Sequence, residues 1–304
     1  MTTRNKIDLN AIVVATDFST AARRATDRAA LIARDQSLPL HLLHVVHGNL
    51  LDDMKAWLDN SKLWQVRMSQ QTRKRLDDEG VRLLGELGGD LILLTHIVEG
   101  PPVSEICEQA DAVEAGLVVV GVRGTNPLHH LLIGTTAERL MGKTNVPLLA
   151  VRTEASAPYQ RVLVPLDFSR WSEHAVDVAR AVAPGAHLVL MHSFSIPFEE
   201  KLRFAGVDDA TLSHYRERAR QDARDHLEAL VDRHSLLPDQ FTLSLTEGDA
   251  PMHILMQAGE RACDLIVIGK HGRQAAEELL LGSVTRHVLA EAEVDVLVST
   301  HHGD

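Results

Sequence analysis

The 304-residue chain is poor in several things, and each shortage removes a class of function. Cysteine is nearly missing. Cys107 lies in a helical pattern and Cys263 just ahead of a strand pattern, which fits reduced, buried thiols and not a disulfide framework. No apolar run reaches membrane-spanning length, and the opening MTTRNKIDLN lacks the basic start, apolar stretch and small-residue cleavage site of a signal peptide. A cytoplasmic protein without a membrane partner is therefore expected. Basic residues are also in deficit: 31 Lys+Arg against 42 Asp+Glu give a formal charge of -11. The deficit is concentrated late, with 17 against 19 up to residue 155 and 14 against 23 beyond it. Neutralising nucleic-acid phosphates needs a basic face, so no nucleic-acid partner is expected.

The signatures of common catalytic sites are missing as well. There is no G-x-S-x-G nucleophile elbow, no zincin spacing, and no G-x-G-x-x-G after the first strand of either half, which sets aside a dinucleotide oxidoreductase. MGKT, Met141 to Thr144, resembles the end of a P-loop, but Ala137 stands where that motif requires glycine, and Gly142 reads as a helix end. His41, His44 and His47 are three apart, which on a strand sends them to alternating faces and not to one metal. His129 and His130 read as an exposed loop pair or as phosphate contacts. Trp57, Trp64 and Trp171 read as core anchors or as a partner surface. No catalytic residue and no metal site is assigned.

What the chain does have is a repeat of itself. IVVATDFSTAARRATDRAALIA (Ile12 to Ala33) matches VLVPLDFSRWSEHAVDVARAVA (Val162 to Ala183) at an offset of 150 residues. LLHVVH at Leu42 lies opposite LMHSFS at Leu190, and LVVVGVRG at Leu117 opposite LIVIGKHG at Leu265, both at an offset of 148. A drift of two residues over a whole domain indicates duplication. Strands are expected at 11–16, 39–46, 91–97, 117–121 and 147–151, then at 161–166, 187–193, 241–246, 264–269 and 294–299. Their apolar residues run together, as parallel strands covered on both faces require. Helical patterns alternate with them, so each half reads as a Rossmann-like, doubly wound α/β domain with a five-stranded parallel sheet. The small, polar, proline-bearing stretch TEASAPY places the first domain at 1–153, a linker at 154–159 and the second domain at 160–304.

Both halves carry G-x2-G-x9-G-[ST]: Gly269, Gly272, Gly282 and Ser283, and Gly121, Gly124, Gly134 and Thr135. The first glycine ends a strand and the last opens a helix, so the pattern sits at the carboxyl edge of the sheet, where α/β proteins bind ligands. Backbone N–H groups uncovered by side chains, together with a helix N-terminus, suit an anion such as a polyphosphate. A hydroxyl at Ser283 donates to phosphate or caps the helix. Asp17 and Asp167 read as ligand contacts or as starts of the following helices.

The glycine pattern, the Asp-Phe-Ser after the first strand, the histidine on the second strand and the closing GSVTRHVLAEAEVDVLV resemble the universal stress protein family in its tandem form, along essentially the whole chain. The resemblance implies ATP binding with little or no hydrolysis. It implies phosphate contacts from Gly269, His271, Gly272, Gly282, Ser283, Val284 and Thr285. Asp167 would approach the ribose or a phosphate-bound Mg²⁺, and Pro165, Leu166 and Ser193 would border the adenine. The matching positions in the first domain are Ala15, Thr16, Asp17, Val45, Gly121, Arg123, Gly124, Gly134, Thr135 and Thr136. There Arg123 replaces histidine and Ala137 follows Thr136, so the first site binds phosphate, is degenerate or binds something else. The resemblance also implies pairing of the two domains through their last strands, a pseudo-dimer within one chain that leaves homodimerisation and a protein partner open. Three functions are compatible with these residues: a nucleotide-responsive stress regulator, a slow ATPase or adenylate-transferring enzyme, and a nucleotide-free scaffold.

Overall fold

The computed structural model describes residues 7, 9–46, 61–88, 90–122, 135–196, 199–273 and 281–300, with the backbone alone for 61–65 and 135. The chain divides into two compact units, one running to Pro158 and the other beginning at Tyr159. Described elements of the first are β1 Ile12–Ala15, α1 Thr20–Asp35, β2 Leu40–Val46, α2 Ser61–Leu87, β3 Leu93–Glu99, α3 Pro102–Ala112, β4 Leu117–Gly121, α4 Thr135–Lys143 and β5 Leu148–Val151. The second has β6 Arg161–Pro165, α5 Arg170–Val182, β7 His187–Phe194, α6 Glu199–Phe204, α7 Asp209–Arg233, β8 Phe241–Glu247, α8 Ala250–Glu260, β9 Leu265–Gly269, α9 Ser283–Glu291 and β10 Asp295–Ser299.

Within the first unit the strands lie in the order β3-β2-β1-β4-β5, and within the second in the order β8-β7-β6-β9-β10. Every pairing inside a unit is parallel. The physical reason is the one visible in the apolar runs. All five residues of β9 are buried although successive side chains point to opposite faces, so that sheet is covered on both sides. Leu163, Ile266 and Val267 are fully buried, and each such side chain contributes roughly 1.5–3 kcal/mol by leaving water.

Strand ends fall within two residues of those read from the sequence, the largest shift being at β3, which runs from Leu93 to Glu99 instead of 91–97. The starts of α1 and α5 are set by short polar side chains. Ser19 accepts from the Ala22 N–H to cap α1, and Ser169 accepts from the Ser172 N–H to cap α5. Gly142 lies in the last turn of α4. β6 pairs with β7 on one side and β9 on the other, and the chain leaves β6 in opposite directions to reach them. That is the switch point at which a doubly wound sheet opens a crevice beyond its strand ends.

Candidate functional site

At that crevice the second unit holds a cavity of about 870 Å³. All eleven second-domain residues singled out from the sequence line it: Pro165, Leu166 and Asp167 at the end of β6 and just beyond it, Ser193 on β7, Gly269, His271 and Gly272 at the end of β9 and just beyond it, and Gly282, Ser283, Val284 and Thr285 at the start of α9. Met191, Ala250, Ile254, Ile268 and Leu281 add an apolar wall, and Arg273 and Arg286 add positive charge. The chamber is therefore apolar on one side and donor-rich on the other. That is what a flat aromatic base joined to an anionic tail requires.

The three glycines have different reasons to be glycine. At Gly269 a Cβ would sit 3.0 Å from the main chain and Cβ of Trp171, so the N-terminal turn of α5 reaches the strand through the missing side chain. At Gly272 a Cβ would lie 2.8 Å from Asp167 Oδ2. At Gly282 the nearest described atoms to such a Cβ are at 3.5–3.7 Å, an ordinary contact, and φ is -57°. Neither backbone strain nor packing against the described residues demands glycine there. Gly282 is also the N-cap of α9 and supplies no side chain to satisfy it. Its own N–H donates to Lys270 O at 3.0 Å, leaving those of Ser283, Val284 and Thr285 without intrahelical acceptors. Ser283 is the first residue inside the helix and exposed, so its hydroxyl does not serve as the cap.

Two of these residues also bond within the protein. The buried Thr285 hydroxyl donates to Gly269 O at 2.8 Å, tying α9 to the end of β9. Asp167 is not the cap of α5, which is Ser169. Its Oδ1 accepts from the Ser169 N–H at 3.0 Å and from the Ser169 hydroxyl, and its Oδ2 accepts from the Arg273 N–H at 2.9 Å. Burial pushes its pKa up, but these hydrogen bonds outweigh burial and hold it below the usual carboxylate range. Ser193 donates to Gly248 O at 2.8 Å, which fixes the edge between β7 and β8.

Sequence reasoning missed Phe168. Its backbone has φ 60°, rare for a bulky residue. Its ring lies 4.4 Å from that of His192 and 5.5 Å beneath the Arg273 guanidinium. His192 Nδ1 lies 2.6 Å from Leu166 O, a carbonyl that can only accept, so Nδ1 carries the proton; burial lowers the pKa of this ring. The signal was present: Phe18 has φ 62°, its ring is 4.5 Å from that of His44, and His44 Nδ1 is 2.7 Å from Thr16 O. A phenylalanine repeated at one place in both halves marks a built turn.

The first-domain positions are described only in part. Ala15 and Val45 lie on β1 and β2, Thr16 is buried with its hydroxyl accepting from the Phe18 N–H, and Asp17 is exposed and accepts from the Ser19 N–H. Gly121 ends β4 where a Cβ would strike the Ala21 carbonyl, and Thr136 is exposed on α4. Arg123, Gly124 and Gly134 lie outside the described residues, as do the Thr135 side chain, His47, His129, His130, Trp57 and the Trp64 side chain. A cavity of about 440 Å³ beside α1 is lined by Thr16, Phe18 and Ser19 and by Arg23, Arg75 and Arg82. Trp171 packs edge-on against His271 at 4.9 Å. His41 and His44 point to different partners, and His41 Nδ1 instead meets His96 Nε2 on β3 at 2.9 Å. Among the described residues no cluster of three metal-ligating side chains occurs, and no helix is long and apolar enough to cross a membrane.

The sequence model of the universal stress protein family matches the chain twice, over residues 9–152 and 158–300. A universal stress protein of Mycobacterium tuberculosis H37Rv is 28% identical over 299 residues, covering 95% of this chain and 96% of its own. One from Mycolicibacterium smegmatis is 27% identical over 304 residues, covering 94% and 96%. The crystal structure of a universal stress protein from Archaeoglobus fulgidus superposes with a TM-score of 0.64 at 17% identity, covering 97% of this chain and 100% of its own. A Pseudomonas aeruginosa protein described as functionally unknown superposes with a TM-score of 0.61 at 19% identity, covering 96% and 92%.

Proposed function

Since the chain belongs to the universal stress protein family, we propose that its second unit binds ATP in the crevice beyond β6 and β9. The protein then acts through the bound state, as a nucleotide-responsive stress regulator with little or no turnover. One observation carries this reading. Gly282 leaves room that neither strain nor packing of the described residues explains, at an uncapped helix start whose three free N–H groups border the same cavity as an apolar wall.

In this reading the N–H groups of Ser283 to Thr285, the Ser283 hydroxyl and His271 hold the phosphates, with Arg273 and Arg286 supplying charge. Leu166, Met191, Ile254 and Ile268 cover the base. Mg²⁺ would travel on the phosphates, because Asp167 is the one carboxylate among the described lining residues and its oxygens already accept protein hydrogen bonds. Hydrolysis needs a group that orients an in-line water, and the described lining offers no second carboxylate and no glutamine for that work. Bound nucleotide would instead shift the population of states that a partner can recognise.

Calorimetric titration of the full chain with Mg-ATP tests this, alongside Gly282→Leu. The expected result is saturable binding by the wild type, lost in the variant, with no ADP formed above the buffer rate. ADP production that Asp167→Asn or Ser283→Ala abolishes would move the protein among the enzymes. Absence of binding would leave the scaffold.

A further inference from the structure

We infer that the edge of β3 in the first unit is an interface between two copies of this chain, which pair β3 with β3 antiparallel about Thr95. Nothing in this pairing involves the nucleotide site. β3 ends the strand order of its unit and pairs with β2 alone. The bonds at the two ends of that ladder use Ile92 O and Gly100 N, and the alternation of a parallel strand then turns the N–H and C=O groups of Leu93, Thr95 and Ile97 away from β2. Among the described residues nothing bonds them. Such an edge is a template for another strand, and proteins ordinarily protect it with a charge, a proline or a bulge. Residues 91–98, LILLTHIV, contain no Asp, Glu, Lys, Arg or Pro, and the register with β2 runs from Leu93 to Glu99 without a bulge.

The edge is apolar on both faces. α2 covers one face, where a Cβ at Gly80 would lie 3.2 Å from Leu93. Glu79 of α2 bonds to Thr26 of α1, so Val81, two residues or about 200° further round the helix, faces away from α1 and toward the edge. Val81 is 72% exposed, and Leu84 is exposed beside it. On the opposite face Ile92 is 54% exposed and Leu94 is exposed too, while α3 packs on β1 and β2. A two-fold axis at Thr95 completes this edge with its own copy. Leu93 then meets Ile97 of the partner subunit, Thr95 meets its own counterpart, and every outward group of the three residues is bonded. Ile92 comes opposite Val98 of the partner subunit and Leu94 opposite His96 of the partner subunit, which covers the exposed side chains. Glu99 falls opposite Leu91 of the partner subunit and on the other face from Asp90 of the partner subunit, so like charges do not oppose each other. Up to residue 155 the chain is nearly balanced, with 17 Lys+Arg against 19 Asp+Glu, and two copies approach there with little net repulsion. An uncharged edge selects no charged partner. In the second unit the edge strand β8 carries no exposed large hydrophobic residue, and Glu247 at its end is tied to Arg216.

Sedimentation equilibrium of the full-length, nucleotide-free protein tests the pairing. Monomer should convert to dimer as concentration rises through the micromolar range. Leu94→Lys and Val81→Lys, both at exposed side chains, should each raise the dimer dissociation constant about tenfold or more by burying a charge, with the circular dichroism of the wild type retained. Position is tested separately. In Thr95→Cys the two new thiols stand on residues whose Cα atoms are about 5.5 Å apart across the axis, within disulfide reach, so mild oxidation should give a covalent dimer. The wild type, which keeps Cys107 and Cys263, should give none under the same oxidation. A protein that stays monomeric at every concentration overturns the interface, as does a dimer that both lysine variants leave unchanged. A dimer that Thr95→Cys does not lock on oxidation overturns the pairing about Thr95.

Discussion

At the scale of single residues, two glycines of one motif are expected to answer differently to substitution. Gly269→Val forces a side chain against the Trp171 backbone 3.0 Å away, which should destabilise the protein by about 1–3 kcal/mol in urea unfolding. Gly282→Ala meets contacts of 3.5 Å or more and should leave stability within about 0.5 kcal/mol, as a substitution away from any packing feature does, while weakening nucleotide binding. The sequence placed both residues in the phosphate site and could not separate them, because the helix that forces glycine at 269 arrives from about a hundred residues earlier. His41 and His96 give a second prediction at this scale. Their nitrogens are 2.9 Å apart, a distance one shared proton satisfies and two do not. Burial lowers both folded pKa values, and His96 lowers that of His41 further. The unfolded chain therefore binds more protons in this range. Stability should be full above the unfolded histidine value of about 6.5 and decline as pH falls below it. Thermal unfolding between pH 8 and 5 should show this decline, reduced in His96→Leu; an identical pH dependence in that variant would contradict it.

At the scale of elements, α9 carries the binding half of the account. Its first turn is left without a side-chain cap, whereas α1, α5, α7 and α8 begin on Ser19, Ser169, Asp208 and Asp249, whose side chains accept from the following turn. Ser283→Asp should therefore have effects of opposite sign. A carboxylate beside the helix start stabilises the free protein by about 0.3–1 kcal/mol, and the same charge repels phosphate, so the melting temperature should rise while ATP affinity falls. A fall in both would mean that the helix start is not an anion site. Ser169→Ala removes the cap of α5 and a partner of Asp167 together, and should cost about 1–2 kcal/mol in urea unfolding. The elements themselves were legible because apolar runs such as LIVIG and helical periods obey local rules. What was not legible is which hydroxyl serves which neighbour. That the Thr285 hydroxyl closes a bond to Gly269 O, for example, is set by a strand end sixteen residues away.

At the scale of the whole molecule, a duplicated sequence has given two units of one topology. The repeat at offsets of 150 and 148 residues fixed the fold class, because two copies of one strand and helix alternation leave few topologies open. It also located the crevice of the second unit, through glycines, Asp167 and Leu166 that the fold brings to one cavity. It did not reveal the apolar wall of Met191, Ile254 and Ile268, since core and site residues look alike in a strand or helix. Nor did it show the grip of Phe168 on Arg273, a contact across 105 residues. The most direct test of the central claim is mass spectrometry of nucleotide released from the purified, denatured protein, quantified per chain for the wild type and for Gly282→Leu. The account predicts at least one ATP or ADP per wild-type chain and one fewer in the variant. Occupancy unchanged by the substitution, or no nucleotide released together with no stabilisation on adding Mg-ATP, would contradict it.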